Sequence, residues 1–440
     1  MLTCHLDEAR KATIETLRRL TKEKPSINRA VLIEDIFGKL RLILWTPDSG
    51  DVDLEREINE KIAEVAAPYW TSEIWMASRG NPADRELYEQ VWNESRPEED
   101  TLEHLRIADR HRTRGAWLCD MTEPLWQWTG ERDKSPPIVV FYSFKGGVGR
   151  STALASFAIQ RARVGERVVV IDFDLDAPGV GVLLAADPSG MIASWGVIDY
   201  LLERPYDSVD LRDYYHACRQ SAVTQSGEIL VFPAGCLNGD FLGKLARVDF
   251  ELPVGEKIGS HVQLLREVRD ELQPDWILLD TRTGLSESSG LLLGGLAHLH
   301  VLFGTSSEQS WQGLRVIIDR LGANRVLADK PQLECLLVQS LVPQDTKAAK
   351  DAVAGFAERA QDEFSEHYYA ADPEDAEEDN FWYIRDIENE VAPHAPVAIS
   401  YEPKLAHFDS IEDVADPLAS LPEYRSLAER IVAKFMREEE

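Results

Sequence analysis

Long apolar runs are what this 440-residue sequence most clearly lacks. No stretch approaches the roughly 20 apolar residues that a membrane-spanning helix needs, so no membrane span is expected. The opening MLTCHLDEARK has no apolar core, so no secretory signal is expected either, and the reading is cytoplasmic. Cysteine is scarce: the 5 residues Cys4, Cys119, Cys218, Cys236 and Cys335 are odd in number and never form a C-x-x-C pair. That pattern argues against a disulfide framework and against a paired-thiol metal or iron–sulfur site; the thiols read as reduced and structural. Basic charge is also short, with 47 Lys and Arg against 77 Asp and Glu and a net charge of −30. Non-specific DNA binding requires Lys and Arg to neutralise phosphates, so direct coating of DNA is not expected. What is present suits a soluble globular protein: 44% hydrophobic and 28% charged residues, over a length that calls for two or three domains.

The chain is organised around residues 139–152, VVFYSFKGGVGRST. An apolar β-type run enters a glycine-rich turn, and a segment of helical period follows, with Leu154, Phe157, Ala158 and Ile159 apolar. Strand, glycine-rich loop and helix together form the context in which such a loop cradles phosphate. The successive N–H groups of Gly146, Gly147, Val148, Gly149, Arg150 and Ser151 make an anion-binding nest, and Thr152 follows in the first helical turn. The helix directs its positive end at the same anion. Ser151 stands where a hydroxyl ligates Mg2+. Against G-x-x-x-x-G-K-[ST], Phe144 occupies the first glycine position and Arg150 the lysine position. Arginine keeps the charge but brings a larger planar fork.

Lys145, just before the two glycines, supplies a second feature. KGGVGRST resembles the deviant Walker A motif of the ParA/MinD family of P-loop ATPases. That resemblance implies ATP and Mg2+ as cofactors, a homodimer formed on nucleotide, and Lys145 reaching the nucleotide across the dimer interface. It covers residues 138–343 and, more weakly, 393–440.

Ahead of that core, residues 1–25 predict a helix whose apolar stripe is Leu6, Ala9, Ile14, Leu17 and Leu20, with a basic surface around it. AVLIEDIFGKLRLILWT predicts a hairpin across Phe37, Gly38 and Lys39. A helix over 54–66 and apolar elements over 70–76, 87–92 and 102–109 complete a mixed α+β pattern. Seven of the 11 tryptophans (Trp45, Trp70, Trp75, Trp92, Trp117, Trp126, Trp128) precede the P-loop strand and read chiefly as core, with an interface as the rival reading. The knot Arg106, Arg110, His111, Arg112 and Arg114 reads as charge paired with the chain's own carboxylates, with an acidic partner or nucleic acid as the alternative. No catalytic constellation appears in residues 1–130. Residues 131–137, ERDKSPP, read as a linker.

After the P-loop helix, a β-branched run over 167–171 ends in Asp172, Phe173 and Asp174. A carboxylate at the C-terminal end of a parallel strand faces the ligand crevice of an open α/β sheet. The family resemblance makes Asp174 the residue that positions the attacking water and Asp172 a support for Mg2+ or for switch geometry. A buried strand over 276–279 then ends in Asp280, the Walker B position, where a carboxylate holds the metal's water shell. Here the chain reads DTRTG instead of the family's D-T-P-P-G, with Gly284 placed to sense a γ-phosphate and Arg282 without a family counterpart. Strands are predicted over 299–303, 333–338 and 396–400, and a helix begins at Ser306 or Ser307. Gln339 or Ser340 stands where relatives carry an adenine-reading asparagine, and Pro403 lies near the place of the base. Residues 344–392 read as an insertion that holds a helix, the acidic run DPEDAEED and an aromatic patch, a candidate partner-binding feature. The terminal helix ends in three glutamates, which anionic lipid would repel.

The expected architecture is α/β: a doubly wound, mainly parallel P-loop NTPase domain over 138–440, preceded by a smaller α+β domain over 1–130. The expected activity is a slow Mg2+-dependent ATPase. Lys145, Arg150 and Asp174 would be its catalytic residues, and Ser151, Asp172 and Asp280 its metal residues. It would act as a switch signalling to a partner protein through the N-terminal domain or the acidic insertion. Three alternatives stand beside it. The first is a weakly or non-hydrolysing, nucleotide-gated regulatory subunit of a bacterial conflict or antiviral defence system. The second is a protein or small-molecule kinase on the same fold, of which the tyrosine-kinase branch is disfavoured by the lack of a tyrosine-rich tail. The third is a chromosome- or plasmid-partitioning ATPase, disfavoured by the charge.

Overall fold

A computed structural model describes residues 5–47, 52–97, 104–110, 116–118, 123–128, 135–185, 193–218, 220–248, 259–328, 330–372, 381–406, 408 and 410–436. Cys4, Cys119, His111, Arg112, Arg114, linker residues 131–134, acidic-run residues 373–379 and the terminal glutamates lie outside the described residues. The chain divides into two compact units, residues 1–114 and 115–440.

In the first unit, helix α1 (Leu6–Glu23) precedes β1 (Arg29–Glu34) and β2 (Leu40–Trp45), an antiparallel hairpin. The Asp35 carboxylate fixes its turn by accepting the Phe37 and Lys39 N–H groups at 2.9 Å each. Then follow α2 (Val52–Ala66), β3 (Trp70–Met76), α3 (Pro82–Glu94), β4 (Arg96–Pro97) and β5 (Leu105–Asp109), in a sheet of order β3-β2-β1-β5-β4. Leu17, Leu20, Ile58 and Ile62 of α1 and α2 cover one face. Val91 and Trp92 of α3 cover the other against Val31 and Ile43. The aromatic surplus is partly spent here: Trp45 and Trp92 meet edge to face at 5.6 Å, and the Arg29 guanidinium lies 4.9 Å from each ring. Two members of the basic knot find partners within the unit. Arg106 donates to the carbonyls of Trp92 and Ser95, and Arg110 pairs with Glu94.

The second unit is built on an eight-stranded sheet of order β13-β12-β11-β6-β10-β7-β9-β8. Its members are β6 (Ile138–Ser143), β7 (Arg167–Asp172), β8 (His216–Cys218), β9 (Glu228–Phe232), β10 (Trp276–Asp280), β11 (Leu299–Gly304), β12 (Cys335–Val342) and β13 (Val397–Ser400). Every pairing is parallel except that of edge strand β8 with β9. Strands β6, β10 and β11 are buried along their whole length, because two apolar layers sandwich the sheet. That burial is why these strands read as unbroken apolar runs instead of alternating ones.

The helices that matter for the site are α4 (Arg150–Arg163), α5 (Glu287–Leu292), α6 (Glu308–Leu321), α7 (Thr346–His367) and α8 (Pro422–Ala433). Ser307 caps α6, its hydroxyl accepting the Ser310 N–H at 3.4 Å. The helix foreseen inside the insertion, α7, buries Phe356, Ala360 and Phe364 and sets Phe356 against Trp311 of α6 at 4.7 Å. No helix among the described residues is long and apolar enough to cross a membrane.

Buried histidines give this unit an acid sensitivity. His300 of β11 is fully buried, its Nδ1–H donates to the Glu334 carbonyl at 3.1 Å, and burial pushes its pKa down to about 4. The nearby charges of Arg325 and His298 push the same way. His261 is likewise held at about 4 by burial. The unfolded chain therefore takes up these protons first. The associated stability is complete above about pH 6.5 and is lost as pH falls toward 4, at about 1.4 kcal/mol per pH unit for each group. His300→Leu is expected to flatten that slope by one histidine's share, read as urea midpoints between pH 7 and pH 4.5. An unchanged slope would mean that His300 is not buried neutral.

Candidate functional site

The centre of the parallel sheet ends in a glycine-rich loop. Between β6 and α4 the chain turns through Gly147 at φ 71° and Gly149 at φ 79°, left-handed conformations that glycine adopts without a steric penalty. Gly149 is the N-cap of α4, so the first amides of that helix open toward the loop. Space around Gly146, Gly147 and Gly149 is free to at least 4 Å, while Val148 is buried in the core and anchors the turn. Room for an anion and the donors to bind it lie together at the C-terminal end of β6. Lys145 is half-buried and forms no ion pair among the described residues. Phe144, the departure at the first glycine position, packs on α6, where its ring fills the space that a Cβ at Gly313 would occupy.

Three acidic side chains stand beside the loop, at the ends of β7 and β10. Asp280 is 1% exposed; its Oδ1 accepts Arg150 Nε–H at 2.7 Å and its Oδ2 accepts the Ser151 hydroxyl at 2.7 Å. The Arg150 Nη2–H group donates to Asp174 Oδ2 at 3.1 Å, whereas Nη1 is buried without a partner among the described residues. Burial works against the guanidinium charge, but Asp280 and Asp174 outweigh it and hold Arg150 above its ordinary range. Burial raises Asp174, and Arg150 opposes the rise. Asp172 is fully buried and accepts the backbone N–H groups of Asp174, Gly179 and Gly181 at 3.1, 3.1 and 3.3 Å. Burial, then the neighbouring Asp280 charge, pushes its pKa up to about 7. One layer out, Arg282 forms an ion pair with Asp176, so a second Arg–Asp clasp joins the same two loops.

Two of the three residues expected to hold Mg2+ carry donors that suit it, although no group of three or more His, Cys, Asp or Glu side chains placed to hold a metal occurs among the described residues. Ser151 and Asp280 present hard oxygen donors in mutual contact, the donor class that Mg2+ prefers. Asp172 is tied to backbone amides and shapes the loop that carries Asp174.

Beneath the glycine loop opens a cleft of about 430 Å3, lined by Gly147, Thr152, Leu341, Ile399, Glu402, Leu405 and Phe408. Leu341 turns into it through an irregular stretch of β12 in which its φ is 58°, a strained value for a branched residue. Pro403 opens the short helix Pro403–Ala406 that carries Leu405. The cleft joins apolar walls to the anion loop, the shape of a site for a flat ring bearing phosphates.

The structure thus brings together Gly146, Gly147, Val148, Gly149, Arg150, Ser151, Thr152, Asp172, Asp174 and Asp280. Gln339 and Ser340 do not line the cleft. Both are buried, and Gln339 Nε2–H donates to the Ala352 carbonyl of α7 at 3.0 Å. Five contributors went unread in the sequence: Leu341, Tyr401, Glu402, Leu405 and Phe408. For Leu341 the only available signal, its strand position after Gln339 and Ser340, points to burial by alternation. Arg150, at the lysine position of the motif, has its guanidinium on Asp174 and Asp280.

No family model matches the chain. Over 65 residues, 15% of this chain, it is 34% identical to a protein of Oltmannsiellopsis viridis described as a septum site-determining protein MinD. The match spans about a fifth (21%) of that relative's length. Among solved structures it is similar to a plasmid partition protein from Borrelia burgdorferi (TM-score 0.39, 15% identity, covering 68% of this chain and 100% of that one). A cobyrinic acid a,c-diamide synthase from Mycobacterium smegmatis, with bound ATP analogue and magnesium, gives a TM-score of 0.42 at 19% identity over 68% and 94% of the two chains. The MinC:MinD cell division complex of Aquifex aeolicus gives 0.41 at 15% identity over 69% and 99%.

Proposed function

We propose that this chain, whose second unit is a ParA/MinD-like P-loop domain, binds ATP with Mg2+, hydrolyses it slowly, and serves as a switch for a partner protein. The observation that carries the reading is the convergence at one sheet end of an open glycine loop, an apolar cleft and the Ser151–Asp280 pair. In this reading the loop amides and the α4 terminus bind the phosphates, and the cleft takes the base. Ser151 and Asp280 hold Mg2+, which would neutralise charge building on the transferred phosphoryl group. Asp174 accepts a hydrogen bond from the attacking water and orients it. Lys145, free of ion pairs among the described residues, is available to a nucleotide held by a second copy, so dimerisation belongs to the same proposal.

A second reading draws support from Arg150. With its guanidinium held on Asp174 and Asp280, the residue that would orient water is already engaged. A protein that binds ATP but turns it over little would then act as a nucleotide-gated regulatory subunit, with a bacterial defence system as its setting.

One experiment separates the two: equilibrium binding of ATP with Mg2+, followed by phosphate release at saturating ATP, for wild type and Asp174→Ala. Slow release that falls about 100-fold in the variant supports the ATPase. Binding without release that depends on Asp174 supports the regulatory subunit. Absence of ATP binding sinks both.

A further inference from the structure

A residue upstream of the P-loop strand reaches the start of the helix that follows the Asp280–Gly284 loop. Trp117, just past the end of the first unit in sequence, lies in a short 3-10 turn, Ala116–Leu118. Its indole Nε1–H donates to the carbonyl of Ser286, the N-cap residue of α5, at 2.7 Å. The neighbouring Ala116 N–H donates to the Glu287 carboxylate, also at 2.7 Å. The indole lies flat on Gly290: a Cβ there would stand 2.8 Å from two ring atoms. From α6, Arg320 covers the ring at 5.3 Å and donates to the carbonyls of Trp117 and Ala116. Three contacts, with the Ser286 carbonyl, Gly290 and Arg320, therefore fix the indole on the first turn of α5, and three hydrogen bonds to backbone groups of Ala116 and Trp117 hold the turn that carries it.

That turn holds the preceding loop. Ser289 Oγ–H donates to the Arg282 carbonyl at 2.7 Å, and Ser286 and Ser289 share a hydroxyl contact at 2.7 Å. Arg282 in turn pairs with Asp176, and the Gly284 carbonyl accepts the Tyr142 hydroxyl at 3.1 Å.

We propose that Trp117 is a positioning residue for the Asp280–Gly284 loop, acting through Ser286, Ser289 and Gly290 to fix the loop's place beside Ser151 and Asp174. The consequence for turnover rests on the nucleotide-binding reading above; the positioning itself does not. Trp117→Ala removes both the ring and its hydrogen bond. Trp117→Phe keeps most of the packing and loses the hydrogen bond. Gly290→Ala keeps Trp117 but displaces its ring.

The test is amide hydrogen exchange on the full nucleotide-free chain, compared across peptides from 280–290, β12 and the first unit. Exchange over 281–289 should rise at least about 10-fold in Trp117→Ala and Gly290→Ala and by less in Trp117→Phe, with the other peptides unchanged. In the presence of ATP and Mg2+, phosphate release per bound nucleotide should fall about 10-fold in the two stronger variants while the KM for ATP stays within about threefold. A residue that merely adds stability would raise exchange everywhere or leave turnover per bound nucleotide intact. Unaltered exchange over 281–289 in both stronger variants overturns the proposal, as does a uniform rise across the chain. Failure of the wild type to bind ATP sinks the nucleotide reading instead and leaves the exchange result to decide this one.

Discussion

Arg150→Ala is expected to cost the second unit about 3–5 kcal/mol with no nucleotide present, the largest effect of any single substitution considered for this chain. Arg150 is 7% exposed, and its guanidinium is the cation facing Asp174, 5% exposed, and Asp280, 1% exposed. Removing it leaves two carboxylates close together, out of water and without a counter-charge. An ion buried without its partner costs far more than the pair gained by forming. Arg150→Lys should fall between the two, because a single ammonium cannot serve Asp280 Oδ1 and Asp174 Oδ2 as a planar fork does. Arg150→Ala combined with Asp174→Asn should recover part of the loss by deleting one stranded charge. Urea unfolding of the nucleotide-free protein reads all three. A loss below about 0.5 kcal/mol in Arg150→Ala would mean that the guanidinium does not rest on the carboxylates when the phosphate site is free.

The same Arg150 marks where local reading of the sequence stops. Its place in the motif is legible because strand, glycine turn and helix follow within one short window, and each has its own residue pattern. The buried runs of β6, β7 and β10 and the acidic residues that close β7 and β10 are legible for the same reason. The direction of the Arg150 side chain is not, since Asp280, which sets it, lies 130 positions further on in sequence. Gln339 illustrates the opposite failure. A polar residue at a strand end in a nucleotide fold invites a base-reading role, yet its side chain spends its N–H on the Ala352 carbonyl of α7, a helix absent from the resemblance. Strand β8 escaped notice because three residues pairing at a sheet edge carry no detectable alternation. Trp117 escaped because a lone tryptophan in a segment read as the tail of another domain looks the same as any core ring. Only Gly290, a residue with no side chain, betrays where that ring goes.

Gly313→Ala is the second substitution with a large expected effect, and its sign runs against helix propensity. Gly313 lies inside α6, where alanine would ordinarily stabilise by about 1 kcal/mol. Here the added Cβ would fall inside the ring of Phe144, so either the ring or the helix must move. Forcing a methyl group into a filled core costs about 1–3 kcal/mol, which outweighs the propensity gain. Displacement of Phe144 also disturbs the residue that opens the glycine loop, so affinity for ATP should fall together with stability. Phe144→Ala empties the same space at the cost of its own packing. If Phe144 and Gly313 are matched partners, the double variant should be more stable than the sum of the two single losses by at least about 1 kcal/mol. Urea unfolding supplies the stability cycle, and ATP titration of the same four proteins supplies the affinity cycle. Strict additivity in both would show that the ring does not lie on Gly313 and that the phenylalanine at the first glycine position of the motif has another reason to be there.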